Sequence, residues 1–130
     1  MTKTFFDFGF GFVPAHCHPN GGGWVADTAR VADTAYIGPD ARVFGAALVR
    51  DNAVVTDNAV VTGYAWVSGN AQVSGKAWVT GYAVVAENAQ VYGNAWVTDN
   101  ARVYGNAWVG GDAKVFGNAR VGGNAEVTKD

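Results

Sequence analysis

The stretch VTGYAWVSGNAQVSGKAW, Val61 to Trp78, is followed at once by VTGYAVVAENAQVYGNAW, Val79 to Trp96. Inside each copy a shorter beat runs. Valine or isoleucine stands at position 25 and at every sixth position to Val127, eighteen times without a miss. Alanine occupies the fourth position after each of them from Ala29 to Ala125, seventeen times. A strict six matches neither the 3.6-residue helix nor plain two-residue alternation, so the repetition itself has to be interpreted first.

A hexad reads as a short extended segment plus a corner. In Ala71-Gln72-Val73-Ser74 alternation puts Ala71 and Val73 on one face and Gln72 and Ser74 on the other. The next pair, Gly75-Lys76, turns the chain; elsewhere that pair is Gly-Asn, Asp-Asn or a relative. Gly and Asn accept positive φ at low cost, which a sharp corner commonly requires. Three such sides close a triangular coil of eighteen residues with Val and Ala inside. The coil can be checked by sliding Val61–Trp78 along the chain and discounting the fixed Val and Ala positions. Shifts of 6 and 12 leave 4 and 3 further identities, whereas a shift of 18 leaves 7. Asn52, Asn70, Asn88, Asn106 and Asn124 then form one corner ladder, Tyr64 lies over Tyr82, and Trp78 lies over Trp96. Such like-on-like stacking is favourable between parallel strands in register. The fold class is therefore all-β: a single-stranded, three-sided parallel β-helix of about six coils, each near 4.8 Å in rise.

These hexads resemble the hexapeptide-repeat, left-handed parallel β-helix superfamily over Val25 to Val127. Within it the chain looks most like phage and bacterial proteins built from "VYGNA" units that open with "GGWV", here Gly22-Gly23-Trp24-Val25. The resemblance implies left-handed winding, homotrimer assembly, and a place in a phage virion or fibre. It also supplies a contrast. The superfamily's acyltransferases use an extruded loop and a catalytic histidine between subunits, and its carbonic-anhydrase branch uses three zinc-binding histidines on the coils. Here the only histidines are His16 and His18, ahead of the repeat, and no insertion interrupts the beat. General acid–base work or a three-histidine metal site on the solenoid has no candidate residues. The expectation is a chain that is not an enzyme and needs no cofactor, with such an acyltransferase or carbonic-anhydrase-like enzyme as the alternative.

Composition narrows the partners. A net charge of -2 gives no basic field for nucleic acid or an anionic membrane surface. No apolar run approaches a membrane span, and the N-terminus lacks the pattern of a signal peptide, so a cytoplasmic or virion location is expected. The single cysteine, Cys17, excludes an intramolecular disulfide framework.

Residues 1–23 depart from the repeat and read as an N-terminal arm or cap, with the β-solenoid at 24–130. FFDFGFGF, Phe5 to Phe12, alternates so that Phe6, Phe8, Phe10 and Phe12 share one face of an extended strand. A solenoid needs its first coil covered, so this segment caps that end or packs along a flank; the other reading is a docking arm into another subunit or a larger particle. In AHCHP, an extended strand points His16 and His18 the same way and Cys17 the other. Two imidazoles are too few for a tetrahedral zinc site in one chain, but around a threefold axis they become six nitrogens, enough for one metal ion.

Outward positions complete the reading. One face carries Trp24, Phe44, Val60, Trp78, Trp96 and Phe116 as an aromatic and β-branched ribbon, accompanied by Arg42, Lys114, Thr62, Thr80 and Thr98. Such a ribbon is too large and apolar for comfortable solvation. Burial in a homotrimer is the expectation, protein–protein interaction being the habit of closed oligomers. A glycan-binding module using the Trp groups as stacking plates is the alternative. End-to-end stacking of coils is a further expected contact.

Overall fold

The computed structural model describes residues 4–9 and 11–129. Among them there are 20 strands and no helix, hence no helix long and apolar enough to cross a membrane. The chain opens with β1 (Phe5–Asp7), β2 (Phe12–Cys17), β3 (Trp24–Ala26), β4 (Arg30–Val31) and β5 (Tyr36–Ile37). Each later hexad adds a strand of two residues, lengthened to four at Trp108–Gly111 and Glu126–Lys129. Three sheets of eight, six and six strands form three faces, and from β3 on consecutive strands in the chain fall on consecutive faces. Within each face coils pair in parallel at a spacing of eighteen residues: Trp78 with Trp96, Trp66 with Val84, Gln72 with Gln90. The chain is thus a three-sided parallel β-solenoid.

Side-chain size sets the bore. From Ala35 to Val109 every inward Val, Ile and Ala is fully buried, in one continuous core. Nothing larger than isoleucine lies in it, because three sides converge on one narrow axis. Coil-to-coil backbone bonds run the whole height, as from Trp66 N–H to the Ala83 carbonyl at 2.9 Å and from Ser68 N–H to Val85 at 2.9 Å. Corners are locked locally as well, as where Ala71 N–H donates to the Ser68 carbonyl at 3.3 Å.

The corners correct one expectation. From the fourth corner on, positive φ falls on the first residue of each pair; Asp27, Asp33 and Pro39 lack it, and no asparagine adopts it among the described residues. From Gly45 to Gly123 every sixth residue has φ between 57° and 70°; ten are Gly, and the others are Asp51, Asp57, Glu87 and Asp99. Aspartate tolerates this conformation because its short side chain bonds locally. Here it reaches the next coil, since carboxylates of Asp51, Asp57 and Asp99 each accept an N–H, from Gly69, Gly75 and Gly117, at 3.1 Å. The asparagine in second place faces solvent. Its ladder is intermittent: Asn70 donates to Asn88 at 3.4 Å and Asn106 to Asn124 at 3.3 Å, while no such bond joins Asn52 to Asn70 or Asn88 to Asn106.

The segment before Trp24 is bonded onto the first coil. β1 and β2 form an antiparallel hairpin, and β2 pairs antiparallel with β3, extending the first face. FFDFGFGF is therefore not one extended strand. The chain turns after Asp7, whose carboxylate accepts N–H groups of Gly9 at 2.8 Å and Gly11 at 3.0 Å, so Phe12 lies on the returning strand. Phe12 is exposed and pairs with Asp7, away from Phe6; Phe10 lies outside the described residues. Residues 18–23 then cover the third face of the first coil. Ile37 N–H donates to the Asn20 carbonyl at 3.0 Å, and Gly23 N–H to the Ile37 carbonyl at 2.9 Å.

Candidate interaction surface

The first face divides into a covered and an open part. Phe6 stacks on Trp24 with ring centroids 4.7 Å apart, and Phe8 on Phe44 at 4.8 Å. The Arg42 guanidinium lies 5.2 Å from the Phe6 centroid, a cation–π contact. Phe8 is buried with Ala15 and Ala26 in a small cluster outside the main core. Trp24 and Phe44, grouped by the sequence with an outward binding ribbon, are thus covered by the chain's own hairpin. Val60 is buried as well.

Beyond Val60 the ribbon is open. Trp78 is 38% exposed, Trp96 44% and Phe116 62%. Trp78 and Trp96 stack with centroids 5.6 Å apart and planes 17° from parallel, and Lys114 Nζ lies 5.8 Å from the Trp96 centroid. A recess of about 320 Å³ adjoins Trp78, lined also by Asp40, Arg42, Asn58, Val60 and Lys76. At the adjoining corner Tyr64 and Tyr82 stack at 5.1 Å with planes 6° apart, both exposed. Sequence reasoning found that stack but left it off the binding ribbon, since it sorted residues by face and gave the corners no outward surface. The result is an apolar ridge of four rings, two Trp and two Tyr.

The histidines serve the cap. His18 is buried, and its Nε2 lies 2.9 Å from the Ala35 carbonyl, which also accepts from Asn20 Nδ2 at 3.1 Å. A carbonyl only accepts, so Nε2 carries the proton. His16 is exposed, with Nδ1 2.8 Å from an Asp27 carboxylate oxygen. Within one chain the two imidazoles do not point the same way: His18 is buried against the first coil and His16 is exposed. Among the described residues no group of three or more His, Cys, Asp or Glu stands together as a metal set. Cys17 is exposed.

Comparison with known proteins adds one likeness. The family model described as YdcK beta solenoid repeat matches residues 97–111. No curated protein and no solved structure matches the chain. The matched residues run from Val97 to Gly111, less than one coil, and include the strands Arg102–Val103 and Trp108–Gly111. Sequence pattern, coil geometry and family model agree that this chain is built from β-solenoid repeats.

Proposed function

We propose that this chain is a non-catalytic structural or assembly module, a rigid β-solenoid that closes into a homotrimer through the open part of its first face. The carrying observation is the split ribbon. Where the hairpin reaches, aromatic groups on that face are covered; where it stops, Trp78, Trp96 and Phe116 remain exposed. Tryptophan and tyrosine at the centre of a flat patch are the residue types that anchor protein interfaces. The coils offer no imidazole for acid–base chemistry, since both histidines of the sequence precede the repeat. A place in a phage particle or fibre is the reading favoured by the likeness to VYGNA-type proteins, and a straight, dry-cored rod suits that task.

The test is the mass of the full chain in solution by light scattering. Three times the 13.6 kDa chain mass is expected. The double variant Trp78→Ala, Trp96→Ala should run as a monomer with an unchanged far-UV spectrum. A monomeric natural chain would overturn the trimer. The stacked, exposed Trp pair also supports a second reading, glycan binding. On that reading the same variant loses retention on a polysaccharide column while its mass stays the same. A stoichiometric metal that disappears on His16→Ala, together with a turnover, would instead restore the enzyme reading.

A further inference from the structure

The second face carries two arginines in an arrangement that calls for a counterion. Arg102 and Arg120 are direct neighbours in parallel register on the strands Arg102–Val103 and Arg120–Val121. Like charges set opposite each other on adjacent strands repel. Three cations elsewhere in the chain have partners. Arg42 lies over Phe6, Lys114 over Trp96, and Arg50 is 3.9 Å from Asp51. Among the described residues neither Arg102 nor Arg120 has an ion pair, and no outward position of that face, from Arg30 through Leu48, Trp66 and Val84 to Arg120, is acidic. The corner carboxylate nearest to Arg102 in the chain, Asp99, accepts the Gly117 N–H through one oxygen and makes no ion pair with either arginine.

The two arginines border one concavity. Val84, Arg102, Tyr104 and Arg120 line a recess of about 280 Å³. Val84 pairs with Arg102 one coil below and supplies an apolar floor. Tyr104 supplies a wall, because the following coil carries Gly122 at the stacked position. A Cβ built on Gly122 would lie 2.2 Å from the Tyr104 ring, so the ring occupies space that any side chain there would take. Tyr104 is thereby laid across the last coil, next to Arg120. Gly110 does the same for Tyr92 on the third face, but no pair of cations accompanies it.

We propose that Arg102 and Arg120 form a binding site for an oxyanion group, a carboxylate, sulfate or phosphate, on a small ligand whose body rests on Val84 and Tyr104. Two forked guanidinium groups side by side can each offer parallel N–H donors to such a group, which a lysine pair could not. Binding also relieves their mutual repulsion, so the anion is held by both charges at once. The site is independent of the Trp ridge on the first face, and its failure would leave the assembly reading untouched.

The experiment is a titration of the full chain with sodium sulfate, inorganic phosphate, acetate and glucuronate at constant ionic strength. It is followed by the side-chain Nε–H resonances of the arginines. Saturable shifts confined to Arg102 and Arg120 are expected. Loss of one charged fork in Arg102→Gln or Arg120→Gln should weaken them about tenfold. Stronger binding of glucuronate than acetate identifies the carboxylate of a larger body as the class, and preference for sulfate or phosphate identifies a tetrahedral anion. Because both arginines are exposed, the variants should fold, and Arg120→Leu should be at least as stable as the natural chain at low salt. Shifts that fail to saturate, spread over all arginines, or persist unchanged in both glutamine variants would overturn the proposal.

Discussion

From Gly45 on, a single conformational demand repeats at every corner, and the residues that meet it do so unequally. Asp51, Asp57 and Asp99 take φ near +58° and each bonds the amide of the next coil. Glu87 takes the same conformation, with φ at 61°, yet no such bond runs from it to Gly105. Its extra methylene carries the carboxylate past the amide and makes the left-handed conformation less natural for it. Glu87→Asp should therefore raise stability by about 1 kcal/mol, read as a shift of the urea midpoint at constant slope. Gly75 is the opposite case. A Cβ there would sit 2.7 Å from the Gly93 carbonyl oxygen, and φ is +65°. Gly75→Ala should cost roughly 1–3 kcal/mol through strain plus a forced shift of the coil above. The hexad pattern made these corners visible in the sequence. Which residue of each pair bends was not legible, because Gly, Asn and Asp all tolerate the conformation and only the closed turn decides among them.

At the level of elements, the hairpin and the strap of residues 18–23 act as one cover over the first coil. Phe8 is its anchor, buried against Phe44, Ala15 and Ala26. Phe8→Ala should cost about 3 kcal/mol. Because solenoid coils contact only their neighbours, amide exchange should accelerate in β3 and β4 and hardly change at Val91 or Val97. His18→Ala removes a buried donor from the Ala35 carbonyl, for a loss of about 1–2 kcal/mol by the same denaturant measurement. The cover's existence could be argued from the open edge of a first coil, and the alternation of phenylalanines marked the segment. Its path could not. The fold-back depends on Gly9 and Gly11 and on the Asp7 carboxylate, and a period-two pattern of Phe carries no trace of that turn.

For the whole molecule, the eighteen-residue period was legible to the last coil, because columns of identical residues are a direct record of what lies above what. Excising residues 67–84, one full coil, keeps every later residue on its face and should leave a folded, shorter rod by circular dichroism. Excising six residues, 67–72, keeps the core pattern but rotates all later residues by one face. Trp78 and Trp96 then leave the column of Val60 and Tyr82 moves with them, while Tyr64 is left behind, so the ridge no longer continues the first face. That variant should fold and lose any association measured for the natural chain. The ribbon itself was less legible, since sequence assigned Trp24 and Phe44 to an outer surface that the hairpin covers.

The position of that cover has a consequence for synthesis. The hairpin, the strap and the first coil leave a ribosome before the later coils, and every later coil bonds to the one before it. At roughly 5–20 residues per second, each eighteen-residue turn is released over one to a few seconds, far longer than a short loop needs to close. Winding can thus keep pace with translation, one layer at a time on a finished template. The two-residue strands, too short to survive alone, would never have to find their partners from a fully unfolded chain.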